Sequence, residues 1–388
     1  MAAELRVLML CPQFRPIVGG YERAAERLSQ ELVRLGCGVE VVAERRDRSW
    51  PAREDLNGLV IRRLPVLYRP GLHSMTSLFV HAAWLAFHGR RFDVWHVHQY
   101  GSHATLAILL GKLLRRPVVL KLTSSAAEGV GRVIASGRLS ALQAWAHRRV
   151  TACIAVSAET AEEAQDFGIP GIRVVQIGNG VDTEAFSPAT PELRRALRLT
   201  LKMPPNGVAV FVGRLSEEKN PLGLLEAWAS ARPRFRQPWT LVFVGDGPLR
   251  QLLEANVRNL NLESSVVLVG HSERVQDWLR AADLYVLSSH REGLSNTTLE
   301  AMATALPSVV TAVSGMSALI RVTNAGLVVP VGDVPAFAEA LMALHDDPTR
   351  RLGMGRRARE TVLRDYSLPA VAARHLAIYR SVVRQAQI

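Results

Sequence analysis

Short runs of Val, Ile and Leu alternate along this chain with amphipathic segments of helical length. Parallel strands covered on both faces read as such near-continuous apolar runs, and the segments between them supply the covering helices. The pattern predicts strands over residues 6–11, 39–43, 94–98, 118–122, 153–157 and 174–177 in the first half. In the second half it predicts strands over 208–212, 240–244, 266–269, 284–288, 308–311 and 327–329. The fold class is α/β with doubly wound parallel sheets.

The two series of strands are separated by a stretch bearing Pro and Arg, residues 182–207, which reads as a connection. A chain of 388 residues also exceeds what one hydrophobic core usually supports. Two Rossmann-like domains are therefore expected, at 1–185 and 206–366, joined by a linker at 186–205. The last segment, 367–388, has apolar residues at Val371, Leu376, Tyr379 and Val382, which suit a helix packing back toward the first domain.

Composition narrows the setting. Cys11, Cys37 and Cys153 are too scattered for a disulfide framework or a metal site, which points to a reducing compartment. The apolar run at 7–11 is too short for a signal peptide, and no window approaches a membrane-spanning length, so a cytoplasmic protein is expected. Charge is uneven: residues 56–150 hold 13 Lys and Arg against only Asp93 and Glu128, which is +11 of the chain's net +12. Nucleic acid, an anionic membrane and an acidic ligand all suit such a field. The chain has no aromatic stacking motif or zinc finger, which argues against nucleic acid. Residues 78–87, with Trp84 between His81 and His88, form either a buried helix or one facing lipid.

In open α/β sheets ligands bind beyond the carboxyl ends of the strands, so the loops that follow strands carry the information. The strand at 284–288 runs into His290, Arg291, Glu292 and Gly293, after which Ser295 or Asn296 can cap a helix that continues through Glu300 and Met302. Free backbone N–H groups at such a helix start bind phosphate, and Gly293 permits close approach. Glu292 and Glu300 could accept hydrogen bonds from a sugar and a ribose; spacing alone equally allows a helix-capping Glu292 and a surface Glu300.

The strand at 208–212 ends in Gly213-Arg214-Leu215, with Lys219 following, so two cations share one strand-end loop. A forked guanidinium and an ammonium suit a diphosphate, and both stabilise charge that grows as it departs. Gly19 and Gly20 follow the first strand and could bring backbone N–H groups to a phosphate, or could simply form a turn. Asp246, in Gly245-Asp246-Gly247-Pro248, reads as a helix cap. His96, His98 and His103 cluster after the strand at 94–98, and without a Cys or His-Glu-x-x-His partner they suit packing or an acceptor contact rather than zinc. No Asp-x-Asp follows a strand, so no metal is expected.

Together these stretches resemble the retaining GT-B glycosyltransferases of family 4. The matching residues are Glu292 and Glu300 followed by Ala301-Met302-Ala303, and Gly213-Arg214-Leu215 with Lys219. Gly245-Asp246-Gly247-Pro248, Ala282-Asp283, Asn179-Gly180-Val181-Asp182 and the Gly19-Gly20 loop match as well. The resemblance implies two Rossmann-like domains with parallel sheets facing a central cleft. It implies a nucleotide-diphosphate sugar donor, UDP favoured over GDP, with no cofactor. Arg214 and Lys219 would hold the diphosphate, Glu300 the ribose, Glu292 the transferred sugar, and backbone groups of Gly293, Leu294 and Ser295 the distal phosphate. The acceptor would be a hydroxyl, on a lipid-linked or oligosaccharide glycan. A nucleotide-sugar epimerase of the same architecture is the alternative.

One departure concerns the acceptor side. Many members have Thr-x-His-Gly after the fourth strand, whereas this chain reads Lys121-Leu122-Thr123-Ser124-Ser125, with Thr123 in the histidine's place. Threonine is no base near neutral pH. The front-face mechanism implied by the family lets the leaving phosphate oxygen take the acceptor's proton instead. His98, Lys121 and Thr123 are the acceptor-side candidates.

Overall fold

The computed structural model describes residues 5–17, 19–122, 140–292 and 294–387. The chain divides into two compact units, Met1–Gly180 with Leu368–Ile388, and Val181–Ser367.

Unit 1 is built on β1 (Arg6–Leu10), β2 (Gly38–Arg45), β3 (Arg53–Leu56), β4 (Leu59–Pro65), β5 (Val94–His98), β6 (Val118–Leu122), β7 (Ala152–Ala155) and β8 (Val174–Gln176). They form one sheet in the order β3-β4-β2-β1-β5-β6-β7-β8. Only β3 and β4 pair antiparallel; Val7 of β1 lies in register with Val39 of β2 and Val94 of β5. Side chains alternate between faces along a strand. Val7, Met9, Val41 and Ile154 thus pack with the helices Gly20–Arg34 and Leu368–Gln387, while Leu8, Leu10, Trp95 and Leu120 pack with His73–His88 and Ser102–Leu113.

The hydrophobic pattern misses the β3–β4 hairpin. Arg53, Glu54 and Asp55 show no apolar run because β3 is a partly exposed edge strand. The signal that was present is Asn57-Gly58, whose φ values of 54° and 88° are those a two-residue hairpin turn demands.

Unit 2 contains β9 (Gly207–Val212), β10 (Trp239–Val244), β11 (Val266–Gly270), β12 (Leu284–Leu287), β13 (Ser308–Thr311) and β14 (Gly326–Val329). All are parallel, in the order β11-β10-β9-β12-β13-β14. Chain direction across the sheet reverses between β9 and β12, so the loops after these two strands emerge side by side.

The expected linker at 186–205 is instead part of unit 2. Its helix, Pro191–Thr200, buries Leu197 and packs on the helix Val275–Ala281. Arg194 and Arg198 reach Asp283 at 3.1 and 2.6 Å, and Arg198 Nε donates to the Ala281 carbonyl at 2.9 Å. The Arg and Pro content that suggested a connection therefore belongs to a capped helix with partly buried ion pairs. The unit boundary falls at Gly180, not after residue 185.

The helix Leu368–Gln387 contributes Val371, Leu376, Tyr379 and Val382 to the core of unit 1. Tyr379 Oη hydrogen-bonds His96 Nδ1, His96 stacks on His98 with centroids 4.4 Å apart, and His375 stacks 5.7 Å from His96. Burial holds His96 and His98 well below the usual imidazole range, and takes His375 to about 3 and His103 to about 4. Each depressed imidazole is neutral when folded, so below its unfolded pKa the unfolded chain binds more protons and stability falls with pH. Urea denaturation midpoints are expected to fall from about pH 7 to about pH 5, and His375→Leu is expected to shrink that fall. Equal midpoints at both pH values would contradict the burial of this cluster.

Candidate functional site

Three strand-end loops of unit 2 meet at the reversal of strand order. The loop after β9 and the loop after β10 are zipped together: Gly213 N donates to the Val244 carbonyl at 3.0 Å, Leu215 N to the Asp246 carbonyl at 3.0 Å, and Leu249 N to the Leu215 carbonyl at 3.0 Å. So close an approach needs glycine. A Cβ on Gly245, whose φ is +145°, would stand 1.9 Å from the Gly213 carbonyl oxygen, and one on Gly247 would stand 2.4 Å from that of Leu215. Asp246 does not cap the next helix, whose N-cap is Leu249. Its carboxylate instead accepts from Gly247 N at 2.7 Å and from Arg250 at 3.4 Å, within the turn itself.

The loop after β12 is tied to the loop after β9 by hydroxyls and backbone. Ser288 Oγ donates to the carbonyls of Lys219 and Asn220 at 3.1 and 2.8 Å, and His290 N to that of Glu218 at 2.8 Å. Thr311 Oγ1, from the end of β13, donates to the Ser289 carbonyl at 2.6 Å. These bonds bring two of the sequence candidates together: Lys219 Nζ pairs with Glu292 Oε1, which also accepts from Ser289 Oγ at 3.0 Å. The Glu292 side chain is only 8% exposed, so the pair lies in a partly dry setting where its attraction exceeds that of a surface pair.

The helix Asn296–Ala303 is capped by Ser295, whose Oγ accepts from Thr298 N at 3.3 Å. Glu292 is therefore not the cap, and its carboxylate is turned to Lys219 and Ser289 instead. Leu294 packs against the core of unit 2, and Glu300 is buried at 7% exposure rather than a surface charge. Arg214 is exposed and has no side-chain partner among the described residues. Gly293 lies outside the described residues. One loop thus carries a held cation and an open one, beside a helix start.

In unit 1, Gly19 is the N-cap of the helix Gly20–Arg34, with an extended φ of −137° that any residue could adopt. A Cβ there would meet only the carboxylate end of Glu22, at 2.3 Å, so a larger residue would displace that side chain rather than the backbone. Glu22, only 8% exposed, places its own carboxylate at this helix start. His98 closes β5, is 3% exposed, and faces Tyr21 edge-on at 5.8 Å; its Nε2 has no hydrogen-bond partner among the described residues. His103 does not join it: His103 Nε2 hydrogen-bonds Ser77 Oγ at 2.8 Å and packs on His81. Lys121 is 1% exposed, its ammonium donates to Asn179 Oδ1 at 3.0 Å, and burial lowers its pKa to about 8. Thr123 lies outside the described residues.

Sequence reasoning missed Ser288 and Thr311, which bond residues distant in the chain, Ser289, which holds Glu292 three residues on, and the bond that Asn179 accepts from Lys121. A lone Ser or Thr after a strand carries no pattern that announces such a bond. Among the described residues no group of three or more His, Cys, Asp or Glu is arranged to hold a metal ion.

Known proteins place these loops in context. The family described as glycosyl transferases group 1 matches residues 206–347, and glycosyltransferase family 4 matches residues 18–185. The D-inositol 3-phosphate glycosyltransferase of Kineococcus radiotolerans is 31% identical over 94% of this chain and 91% of its own. The UDP-Gal:alpha-D-GlcNAc-diphosphoundecaprenol alpha-1,3-galactosyltransferase of Escherichia coli is 28% identical over 72% of each chain. Among solved structures, Anabaena Alr3699/HepE in complex with UDP superposes with a TM-score of 0.78 at 17% identity, over 97% of this chain and all of the other. Two parallel-sheet α/β units of this topology, and a relative of such identity along almost its whole length, establish that the chain belongs to glycosyltransferase family 4 and is a glycosyltransferase of the GT-B fold.

Proposed function

We propose that this chain transfers a sugar from a nucleotide-diphosphate sugar, a UDP-sugar in preference to a GDP-sugar, to a hydroxyl of a glycan or lipid-linked acceptor, with retention at the anomeric carbon. The observation that carries this reading is the Lys219–Glu292 pair beside the open Arg214 at the reversal of strand order in unit 2. A diphosphate drawn to Arg214 gives Lys219 a second anion to hold, which lets Glu292 turn to the hydroxyls of the transferred sugar. Buried Glu300 then accepts from the ribose, and the start of the helix Asn296–Ala303 faces the distal phosphate.

In the reaction the bond from the anomeric carbon to the phosphate oxygen breaks, and the acceptor oxygen bonds to that carbon on the same face. The acceptor's proton passes to the departing phosphate oxygen, so no protein base is required where Thr123 stands. Arg214 and Lys219 neutralise the charge that grows on the diphosphate, the part a metal ion plays elsewhere. Support for a UDP-sugar comes from two similar proteins, one solved with UDP and one named for UDP-Gal and a diphosphoundecaprenol-linked acceptor. Lys121 enters this reading as a tether of β6 to Asn179, since its buried ammonium donates to the Asn179 amide oxygen.

Calorimetric titration with a panel of UDP- and GDP-sugars tests the donor site. Glu300→Ala and Arg214→Ala are each expected to weaken donor binding about tenfold or more. Ser289→Ala, which removes one of the groups that hold Glu292, is expected to lower kcat about three- to tenfold with little change in donor affinity. Unchanged donor affinity and turnover in Glu300→Ala would sink the assignment, as would an epimer formed from donor alone.

We also propose peripheral association with an anionic membrane. Among the described residues no helix is long and apolar enough to cross a bilayer. The helix His73–His88 turns Trp84 and His81 inward, yet leaves Met75, Phe79 and Phe87 exposed at 69%, 73% and 81% along one side. It carries no acidic residue and lies within the strongly basic stretch 56–150, which complements anionic lipid. Vesicles of phosphatidylglycerol are expected to retain the protein at low salt, and Phe79→Glu with Phe87→Glu to release it. Equal retention of the two forms would exclude this face.

A further inference from the structure

A further charged feature of unit 1 lies where strands of its sheet begin. There a groove of about 390 Å³ opens between the start of β6, the residues that lead into β7, and the helices Ser102–Leu113 and Ser140–His147. Its apolar floor includes Val118 and Val150, and its rim carries Lys112, Arg116, Arg149 and Arg173 around Trp145. Among the described residues no carboxylate lines it.

The partners of these cations leave their charge largely uncompensated. Arg149 and Arg173 donate to the carbonyls of Trp145 and Val150, each at 3.3 Å, which are neutral acceptors. The Arg149 guanidinium stands 4.4 Å and the Lys112 ammonium 5.2 Å from the Trp145 ring centroid. Arg116 donates to the Arg90 carbonyl at 2.7 Å and has Asp93 at 4.0 Å, while its buried Nε has no hydrogen-bond partner among the described residues. Like charges crowded round one groove repel one another, and an anion seated among them relieves that repulsion. Forked guanidinium donors beside an ammonium match the oxygens of a phosphate. The indole and valine surfaces ask for an apolar portion next to it.

We propose that this groove binds a phosphate or diphosphate group carried by a molecule with an apolar portion, at a site separate from that of the sugar donor. The same chemistry occurs in an anionic lipid headgroup and in a soluble organic phosphate. The inference does not rest on the donor assignment, since its residues all lie in unit 1.

The test begins with a chain carrying Arg214→Ala and Lys219→Ala, so that the cations of unit 2 cannot account for binding. Calorimetric titration of this chain with inorganic pyrophosphate at low salt is expected to show one binding event. Adding Lys112→Ala, Arg149→Ala and Arg173→Ala is expected to weaken that event at least tenfold; all three side chains are exposed, and an unchanged thermal melt checks the fold. No binding before the three substitutions, or equal binding after them, overturns the proposal. Competition then separates the two sources: a short-chain, water-soluble phosphatidylglycerol that displaces pyrophosphate from the groove assigns a lipid headgroup, whereas pyrophosphate binding that it leaves unchanged assigns a soluble phosphate.

Discussion

In a parallel sheet every strand ends on the same edge, and the site in unit 2 depends on that geometric fact. Because β9 and β12 are neighbours while the chain leaves them in opposite directions across the sheet, their following loops touch with no helix between them. Residues 73 positions apart in the sequence, Lys219 and Glu292, thereby become an ion pair. The hydroxyls of Ser288, Ser289 and Thr311 then fix what the topology brings together, and the glycines at 245 and 247 allow a third loop to lie against it. Removing a carbonyl contact here moves backbone, not merely a side chain.

The unpaired and paired cations of that loop divide the electrostatic work. An exposed Arg214 attracts an anion at little desolvation cost, while Lys219 is preset by Glu292 and Glu292 by Ser289. Such presetting limits how far side chains must reorganise when charge moves during a reaction. The buried Lys121 is a different kind of cation. It spends its donor on Asn179 inside unit 1, and burial rather than a carboxylate sets its pKa.

Much of this was legible in the sequence because burial on both faces writes strands as apolar runs. All twelve strand runs read from the pattern correspond to observed strands, with ends that move by one or two residues. The edge strand Arg53–Leu56 escaped because it needs no apolar run, Leu59–Pro65 because Arg62 and Arg63 interrupt its own, and the segment 186–205 was misread because a helix held by Arg–Asp pairs is polar in composition. Glu292, Glu300, Arg214 and Lys219 were legible as chemistry on strand-end loops. Their mutual contacts were not, since Lys219 meets Glu292, and Ser288 the Lys219 carbonyl, only where the sheet brings distant segments together. His103 shows the same limit in reverse, because proximity in sequence to His98 did not carry over to space.

The helix Leu368–Gln387 has a consequence for how the chain is made. Val371, Ala372, Leu376, Tyr379 and Val382 wall a core whose other buried members lie between Val7 and Ile177. During synthesis all of Val181–Ser367 leaves the ribosome before unit 1 receives this wall, so the unit begun first is completed last. A premature stop just ahead of Leu368 would spare every residue of unit 2 and strip a face of the unit at the other end of the gene.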